Sequence, residues 1–563
     1  APVEYSRLTQ AFARLCATTK RKEKDAILLE TFSAVLAQSP EDLVPAVYLS
    51  SNKLGAPWED LDLNVGGAAI TAAVRSATGA SSAELASLWK RHGDAGDVAA
   101  AVRARQRLLC QPAPLTVRGV YRSLLALCGM AGEGVAQRRV STMAGMIRAA
   151  RDTEETRFLV RTFACHIRTQ ATLTTVKDAA VAAVMGHRAG AAGPPAGDGS
   201  TSEAQRAARD CFTACPDVRR VLEPLLRGGL GAMRRACAFE VGTPMRPMLA
   251  RPETSVDAVL AGLGGGDFSC EHKYDGQRAQ IHRDAAGAVR IFSRHLEDMT
   301  SKFPDVAIAL RSACRAPGGG LRPFVLDAEV VAVSGGEGKD ADKDGGALRS
   351  DAFQRLSTRK RKDVTVGSIE VAVKVFAFDL LFLDGDCTIN LPFEERRRML
   401  HGAFECTQDF AFAEFVDVKC VESGDAAGAS RHDRVQEALE RALADNCEGL
   451  MCKSLVAPYE PSDGSKRSGA WLKLKADYID GLGDTLDLVP IGGWHGMGRK
   501  AKWVSPFLLA CWDPDAERLQ SVCRVLSGFT DAFYVEKTSL YVGGGQAAGA
   551  EPIAQEGAAE AAG

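Results

Sequence analysis

The spacing of apolar residues changes once along the chain, and this change limits what the chain can fold into. Up to residue 241, apolar side chains recur every three to four residues, as Leu8, Phe12 and Leu15 do, which is the period of an α-helix. The segment TPMRPMLARP then supplies three prolines in ten residues, as a linker between domains does. Short alternating runs typical of strands follow it. We therefore predict an all-α domain over 1–241 and an α+β domain over 242–478.

The remaining length predicts a third, smaller unit. At 563 residues the chain is too long for one hydrophobic core. Strand-like runs continue over 479–541, whereas 542–563 is rich in Gly and Ala, lacks the apolar residues for a core and should be disordered. The formal net charge of -2 does not exclude a nucleic-acid partner, because basic residues can gather on one face of a protein.

Cysteine spacing and hydropathy exclude several classes of protein. Sixteen cysteines are present, but none forms a C-x-x-C pair, and Cys211 with Cys215 has no second pair at the spacing of a zinc site. We expect reduced, mostly buried thiols in an intracellular protein. No apolar run reaches membrane length and no signal peptide opens the chain, so we expect no membrane partner. The first residue is not Met, and we expect the natural protein to extend upstream.

The segment FSCEHKYDGQRAQIH places a lysine where two strands meet. An apolar strand runs into Lys273, the turn residues Asp275 and Gly276 follow, and a second strand leaves from Arg278. Strand periodicity puts Glu271 and Lys273 on one face, so that an acceptor and an amine face the same pocket. The alternative is an ordinary hairpin with a solvated lysine.

Two later strands carry polar or aromatic residues that need an explanation. In LDAEVVA, Asp327 and Glu329 interrupt an apolar strand, which indicates a metal, a charged partner or an edge exposed to solvent. In VFAFD, Phe376 and Phe378 fall on one strand face. Aromatic rings in such strands are more often core residues than ligand-stacking residues, so these two decide nothing alone.

Lysines and a glutamate recur near the end of the α+β domain. CEGLMCK sets Glu448 and Lys453 at opposite ends of one short strand. WLKLK puts Lys473 and Lys475 on one face of another strand. Two such lysines repel each other unless an anion lies between them, and a polyphosphate is an anion of that kind.

Two further groups of basic residues have open interpretations. The first lies at helical spacing and could be a solvated helix face or a phosphate-binding face. The second could be a solvated turn or a localisation signal. The groups are Arg148, Arg151, Arg157, Arg161 and Arg168, and Arg359, Lys360, Arg361 and Lys362.

Taken together, KYDGQR, FSR, LDAEVVA, VFAFD, EGLMCK and WLKLK resemble, in order and spacing, the nucleotidyltransferase motifs of ATP-dependent DNA ligases. The resemblance looks closest to the eukaryotic replicative enzymes and extends from about residue 5 to about residue 535. RNA ligases and mRNA capping enzymes share the lysine motif, but they are not similar to the helical region or to TRKRKDV.

The resemblance implies a fold and an activity. A helical DNA-binding domain, an adenylation domain and an OB-fold would encircle nicked duplex DNA, with 479–541 supplying the first three strands of the OB-fold. Lysine would take AMP from ATP with Mg²⁺, pass it to the 5′-phosphate at a nick, and a 3′-hydroxyl would then displace it, in replication or repair. We expect a monomer in the nucleus, with an organelle as the alternative, and a sliding clamp as a second candidate partner.

The resemblance also implies roles for single residues in the nucleotide site. Lys273 would be the nucleophile, Glu271 would accept from the adenine amine, and Phe378 would stack on the base. An amine attacks phosphorus only when it is deprotonated, and neighbouring cations favour that form. The other implied contacts are Arg278 and Arg294 to ribose and phosphates, Glu329 to ATP and Mg²⁺, Glu448 to Mg²⁺, and Lys453, Lys473 and Lys475 to phosphates.

DNA contacts follow from the same resemblance. Lys360, Arg361 and Lys362 match a segment that contacts DNA, and Phe353 matches an aromatic residue that wedges against the duplex near the nick. Such contacts recognise the backbone without reading sequence. Arg168 matches a DNA-contacting residue of the helical domain, but CHIRTQATLT lacks the glycine that the family has in this loop.

The C-terminus departs from the family. After about residue 541 the sequence has no counterpart of the basic segment that orients the pyrophosphate of ATP. This departure predicts that the chain adenylates Lys273 poorly and can still use a nick that already carries AMP. The alternative function is a non-catalytic or step-impaired nick-binding protein derived from ligases.

Overall fold

The computed structural model of the protein describes most of the chain. The side chain of Phe353, the predicted DNA contacts Arg361 and Lys362, and the predicted tail beyond residue 543 lie outside the described residues. The described residues are 1–106, 112–190, 199–314, 321–333, 352–360, 364–365, 367, 369–420, 430–462, 467–476, 488–496, 500, 502–514 and 516–543, with the side chains of 199–201 also left out.

Helices form the first part of the chain, as the apolar spacing predicts. The described residues of 1–241 form helices and contain no strand. The helix Val218–Ala236 is interrupted at Gly229, whose φ of 73° lies in the left-handed region that glycine tolerates. The α-helices are α1 Tyr5–Cys16, α2 Arg21–Gln38, α3 Leu43–Ser51, α4 Gly67–Thr78, α5 Ser82–His92, α6 Ala95–Arg103, α7 Val117–Cys128, α8 Val135–Ala149, α9 Thr153–Phe163, α10 Leu173–Arg188, α11 Gly199–Ala214, α12 Val218–Ala236, α13 Val256–Leu263, α14 Pro304–Ala313, α15 Ala352–Thr358, α16 Phe393–Ala403, α17 Arg431–Ala444 and α18 Asp531–Gly543.

Strands begin at the proline-rich linker. They alternate with short helices up to residue 475, which confirms the predicted α+β domain. The strands are β1 Ala250–Glu253, β2 Phe268–Lys273, β3 Gln277–Arg283, β4 Val289–Ser293, β5 Phe324–Ala332, β6 Val373–Leu383, β7 Asp386–Cys387, β8 Phe410–Phe412, β9 Phe415–Val418, β10 Gly449–Ser454, β11 Ser468–Lys475, β12 Val489–His495, β13 Val504–Asp513 and β14 Arg518–Val525.

The chain separates into two compact units, which are described one at a time. The first unit contains 1–64, 115–131 and 168–483, so the α+β domain shares it with part of the helical region. The second unit contains the remaining helical segments together with the third segment of strands. No helix among the described residues has both the length and the apolar content to cross a membrane.

In the first unit, a buried carboxylate ties the N-terminal residues to the helices. Asp42 is fully buried and accepts a hydrogen bond from the backbone N–H of Val3 at 2.9 Å. Arg118 of α7 donates to its other oxygen at 2.8 Å. The predicted apolar stripe of α1 is buried, with Leu8 and Phe12 at most 1% exposed.

Two sheets build the α+β domain. One has the strand order β1-β11-β10-β2-β9, and the other has the order β4-β3-β5-β6-β7 with β8 also pairing with β6. Strands β2 and β3, which flank the YDG turn, therefore belong to different sheets, which excludes the ordinary hairpin considered for this segment. Phe268 and Leu472 of the first sheet and Ile281 and Leu326 of the second lie in one hydrophobic core.

The third segment forms the three strands that the sequence predicts. Strands β12, β13 and β14 make an antiparallel sheet in that order. Helix α18, which the sequence analysis did not predict, packs against β13. Its Tyr534 is fully buried, stacks between Trp503 and Phe507, and donates a hydrogen bond to the Leu526 carbonyl at 2.8 Å.

Two arginines of the predicted basic helix face are ion-paired in the second unit. Arg161 of α9 donates to Asp94 at 3.0 Å and to Asp97 at 3.1 Å, and its side chain is only 10% exposed. Arg157 pairs with Asp97 at 2.8 Å and also with Glu154. Arg161 is therefore a buried ion-pair partner, which corrects both interpretations for it, whereas Arg157 is still 28% exposed and its interpretations stay open.

We predict that Arg161→Met destabilises the protein. The substitution leaves Asp94 buried without its cation, and breaking such a pair costs about 3 kcal/mol. Unfolding in urea, followed by tryptophan fluorescence, would show the lower midpoint. The control is Arg105→Met, because Arg105 pairs with Glu84 at 2.8 Å while its side chain is 59% exposed, and an exposed pair contributes less than about 1 kcal/mol. Equal losses in the two variants would contradict the prediction.

Candidate active site

Lys273 lies at the end of β2, where three strand ends meet. Its Nζ lies 2.5 Å from Oε2 of Glu448, and its carbonyl accepts the Glu448 N–H at 2.8 Å. Glu448 immediately precedes β10, and Gly449 pairs with both Lys273 of β2 and Lys475 of β11. A side chain at position 449 would lie 2.2 Å from the Leu474 carbonyl, so only glycine allows this approach.

Glu448 carries two ammonium groups on one oxygen. Lys475 Nζ approaches the same Oε2 at 2.7 Å, and the side chains of Lys273, Glu448 and Lys475 are each about a quarter exposed or less. Burial acts to raise the pKa of Glu448, but the two lysines outweigh it and lower this pKa. In this structure the anion beside Lys475 is thus the Glu448 carboxylate, which also pairs with Lys273. Lys473 lies two residues before Lys475 on the same strand.

Two more carboxyl groups surround this ion pair. Glu329 of β5 is opposite Arg278 of β3, and burial raises its pKa to about 8, with Asp327 and Glu448 adding to the shift while Lys273 and Arg278 oppose it. Asp275 also has a raised pKa, first because of burial and then because it shares a hydrogen bond with Glu448. The sequence analysis used Asp275 only as a turn residue and missed its place in this site.

The carboxylates can be tested for a fit to magnesium. No group of three or more His, Cys, Asp or Glu side chains among the described residues could enclose a metal ion. Mg²⁺ usually takes one or two carboxylates and completes its shell with water and substrate phosphates. Glu448 Oε2 is buried and, despite two close ammonium groups, lacks a hydrogen bond of good geometry. Glu448, with Glu329 near it, therefore fits a magnesium ion that is completed by substrate.

A second, deeper ion pair joins Glu271 and Lys453. The Lys453 Nζ lies 2.5 Å from Glu271 Oε2, and both side chains are at most 4% exposed. Burial raises the pKa of Glu271 although Lys453 opposes this, and burial lowers the pKa of Lys453. Lys453 pairs along the sheet with Ser269, whereas Gly449 pairs with Lys273. The structure thus pairs Lys453 with Glu271 and Lys273 with Glu448, and the phosphate contact of Lys453 stays a prediction.

Phe378 occupies a bulge, which changes the predicted aromatic face. The pairing of β5 with β6 passes from Asp379 to Ala377, so Phe378 is the extra residue between them. Phe376 stacks on Tyr274 with ring centres 4.0 Å apart. Phe378 contacts Trp471 and the Lys453 ammonium instead. The two rings therefore have different neighbours, and only Phe378 is beside the Glu271 ion pair.

Arg278 is held by a buried carboxylate. Its guanidinium donates to both oxygens of Asp327, at 2.9 and 2.6 Å, and Tyr459 donates to the same carboxylate at 2.6 Å. Of the three explanations considered for an acidic residue in this apolar strand, a charged partner is the one that applies to Asp327. The sequence analysis did not identify Tyr459 as part of this contact. Arg294 is exposed and lies one residue beyond Ser293, which pairs with Ala279, so it is beside Arg278 in the register.

The predicted DNA contacts are described only in part. Lys360 is exposed, but Arg359 before it is buried, donates to Asp305 at 2.8 Å and lies over Phe303. Arg359 is therefore neither a solvated turn residue nor part of an exposed localisation signal. Arg168 is exposed and has a φ of 61°. The non-glycine residues Cys165 and Gln170 also have positive φ, so this loop adopts left-handed backbone without the glycine that the family has there.

Comparisons with known proteins identify matching families and relatives of the chain. The family described as "ATP dependent DNA ligase domain" matches residues 247–475, and the one described as "DNA ligase N terminus" matches 4–180. "DNA ligase 6" of Arabidopsis thaliana is 39% identical and aligns with 96% of this chain. "DNA ligase 1" of Schizosaccharomyces pombe and "DNA ligase" of Pyrobaculum calidifontis are each 34% identical over 94% of this chain.

This chain spans a different share of the length of each relative. The chain spans 38% of the Arabidopsis protein, 66% of the Schizosaccharomyces protein and 82% of the Pyrobaculum protein. The solved structure titled "Pmar-Lig_PreS3" superposes with a TM-score of 0.51 at 14% identity, covering 95% of this chain and 90% of that one. This structural likeness supports the fold, and it confirms helical, α+β and partial OB-fold parts in this order.

We predict that Glu329→Gln changes the pH dependence of stability. Since folding raises the pKa of Glu329 to about 8, the folded state binds a proton that the unfolded state releases, and stability falls as pH rises from about 4.5 to 8. The glutamine variant should lose this dependence and be more stable than the wild type at pH 9, on the order of 2 kcal/mol, with little difference at pH 4. Urea unfolding at both pH values tests it, with the exposed Glu297→Gln as control. Parallel pH profiles for wild type and Glu329→Gln would refute it.

Proposed function

The chain belongs to the ATP-dependent DNA ligase family, and from this premise we propose that it seals nicks in duplex DNA through an AMP group carried on Lys273. One observation carries the proposal: the Lys273 amine lies 2.5 Å from Glu448, and Lys475 lies on the same carboxylate oxygen. An amine, a base and a second cation at this spacing suit the transfer of a phosphoryl group.

The first step would form the lysine adduct. The neutral Lys273 amine attacks the α-phosphorus of ATP, the new N–P bond replaces the bond to the bridging oxygen, and pyrophosphate leaves. Glu448 Oε2 is placed to accept the proton that the amine gives up. Lys475, once Glu448 is protonated, can pair with phosphate oxygens instead.

The next two steps would use the same pocket. A 5′-phosphate oxygen at the nick attacks the AMP phosphorus and releases Lys273, and the 3′-hydroxyl then attacks the activated 5′-phosphate and releases AMP. Each step is an in-line displacement at phosphorus, so one cationic pocket can serve all three. Arg278 is held by Asp327 while Arg294 is exposed beside it, which supports a role for Arg294 in ribose or phosphate contact.

Magnesium is part of the proposal through Glu448 and Glu329. When bound, a magnesium ion neutralises charge on the phosphates and on the leaving group. Glu448 Oε2 is buried without a well-oriented hydrogen bond, so it can take the Lys273 proton or the magnesium ion, one at a time. Burial raises the pKa of Glu329 to about 8, so Glu329 has to lose its proton before it binds the ion, and a nearby cation favours that loss. Lys473 is a further candidate for phosphate contact from the same strand as Lys475.

The DNA partner is proposed from the family and from exposed basic residues. Nicked duplex DNA is the substrate, and Lys360 and Arg168 are exposed cations in the described regions that could contact its backbone. Contacts of this kind position the duplex without reading its sequence. The same chemistry serves DNA replication, repair and recombination.

We predict that Lys273→Arg abolishes both adenylation and sealing. Arginine keeps the positive charge but does not supply a neutral amine. The wild type adenylates slowly according to the prediction from its C-terminus, so it is incubated with excess ATP and Mg²⁺ over a long time course. It should then gain the mass of one AMP in intact-protein mass spectrometry, and Lys273→Arg should gain none while it still binds nicked DNA. The exposed Lys419→Arg serves as the matched control and should be labelled like the wild type. A labelled Lys273→Arg variant would rule out Lys273 as the nucleophile, and a wild type that binds nicks without labelling or sealing would favour the nick-binding alternative.

We predict that Glu448→Gln slows adenylation by at least about 100-fold, equivalent to about 2.7 kcal/mol, because the amide cannot accept the proton from Lys273 and binds magnesium weakly. The magnesium concentration for half-maximal rate should also rise. Rates of AMP transfer measured over a magnesium titration test both effects. Glu437→Gln, on the exposed side of α17, is the control, and an unchanged rate in Glu448→Gln would contradict the assignment.

A further inference from the structure

The buried ion pair of Glu271 with Lys453 has no part in the steps above. Its carboxylate and ammonium are 2.5 Å apart, and Lys453 is 1% exposed. Lys453 lies four residues along β10 from Gly449, the residue opposite Lys273, which corresponds to roughly 13 Å at the rise of a strand. That length separates backbone positions; at the side chains, Lys453 is paired with Glu271 and Lys273 with Glu448, so the two amines have different carboxylate partners.

The surroundings of Lys453 leave little room for a phosphate. Its Nζ lies over three aromatic rings, at 4.4 Å from the centre of Trp471, 4.5 Å from Phe378 and 4.8 Å from Phe393. It also donates to the Phe378 carbonyl at 3.4 Å. A charge enclosed by ring faces and one carboxylate is a fixed structural charge rather than a contact that opens for a substrate.

Glu271, the partner of Lys453, forms different hydrogen bonds in its ionised and protonated states. An ionised carboxylate only accepts hydrogen bonds, whereas a protonated one also donates. A buried acid without a cation tends to keep its proton, and burial does raise the pKa of Glu271 while Lys453 opposes that shift. The charge on Lys453 thus decides which hydrogen-bonding pattern Glu271 presents beside Phe378.

We propose that Lys453 is a positioning residue that keeps Glu271 an acceptor and thereby makes the nucleotide pocket select a purine with an amino group at position 6. The proposal rests on the proposed function and on the roles that the family resemblance implies for Glu271, as acceptor from the adenine amine, and for Phe378, as the ring that stacks on the base. Adenine offers a donor at position 6, and this donor suits a carboxylate. Hypoxanthine and guanine present a carbonyl there, and two acceptors facing each other in a dry site exclude the ligand.

The test compares ATP with ITP, which has a carbonyl where ATP has the amino group and is otherwise closely similar. The readout is nucleotide transfer to Lys273 by intact mass, measured as the ratio of kcat/KM for the two nucleotides. The wild type should prefer ATP by at least about 100-fold. Lys453→Met should reduce this preference at least tenfold, mainly through a higher KM for ATP, whereas Lys453→Arg, which keeps the charge, should restore part of it.

A role in phosphate contact or in folding alone has a different signature. Lys453→Met would then reduce the rates with ATP and ITP by the same factor, and this outcome would overturn the proposal. If Lys453→Met does not fold, Glu271→Gln supplies the same answer, because an amide both donates and accepts. It should also lose discrimination, and an unchanged ATP preference in Glu271→Gln would overturn the proposal equally. The control Lys302→Met removes a lysine that donates to Gln277 at 2.9 Å, and it should leave the ratio unchanged.

Failure of the proposed function can be recognised separately. If the wild type takes no AMP from ATP, that function fails, and binding of AMP and IMP by calorimetry then tests Lys453 directly. Wild-type affinity for AMP at least tenfold higher than for IMP, lost in Lys453→Met, supports the proposal. Equal affinity of the wild type for the two nucleotides, or no binding of either, overturns it.

Discussion

The carboxylate of Glu448 is the interaction on which the site depends. Its backbone N–H donates to the Lys273 carbonyl, which links the end of β2 to the start of β10, and its side chain forms ion pairs with both Lys273 and Lys475. Two ammonium groups brought this close repel each other strongly unless a negative charge lies between them. Glu448 supplies this negative charge where the three strand ends meet, and Gly449 leaves space for the neighbouring strand. The position of the reactive amine is thus a consequence of strand pairing.

Burial separates the two glutamate–lysine pairs into different kinds of interaction. The pairs of Glu448 are partly exposed, so water, a metal ion or a phosphate can exchange into them at modest free-energy cost. The pair of Glu271 with Lys453 is nearly inaccessible, and removing either partner would leave an uncompensated charge in the interior. The first arrangement suits groups that change partners during a reaction, and the second suits a recognition element that must not change.

Much of this site is predictable from the sequence, and the rest depends on tertiary pairing. The strand that ends at Lys273 and the lysines of WLKLK follow from alternation, which is a local property. Local alternation does not show that β2 and β3 enter different sheets, because partner strands come from distant parts of the chain. The bulge at Phe378 is likewise set by the pairing of β5 with β6. The environments of the basic residues were the hardest feature to predict. The charge pattern predicted Arg161 at the surface, but the residue is buried in an ion pair with Asp94, which lies over sixty positions earlier in the chain.

The balance of charge around Lys273 explains why the site can accept a polyphosphate. Lys273, Lys475 and Arg278 face Asp275, Asp327, Glu329 and Glu448, so the unliganded cluster has more carboxyl groups than cations. Glu329 relieves this imbalance in part by retaining a proton, as its pKa of about 8 indicates. An incoming metal ion would favour release of that proton, and the lysines, no longer needed to neutralise carboxylates, would then be available to phosphate oxygens. Under the proposed function, the carboxyl groups hold the cations in place until a metal ion and a nucleotide bind together.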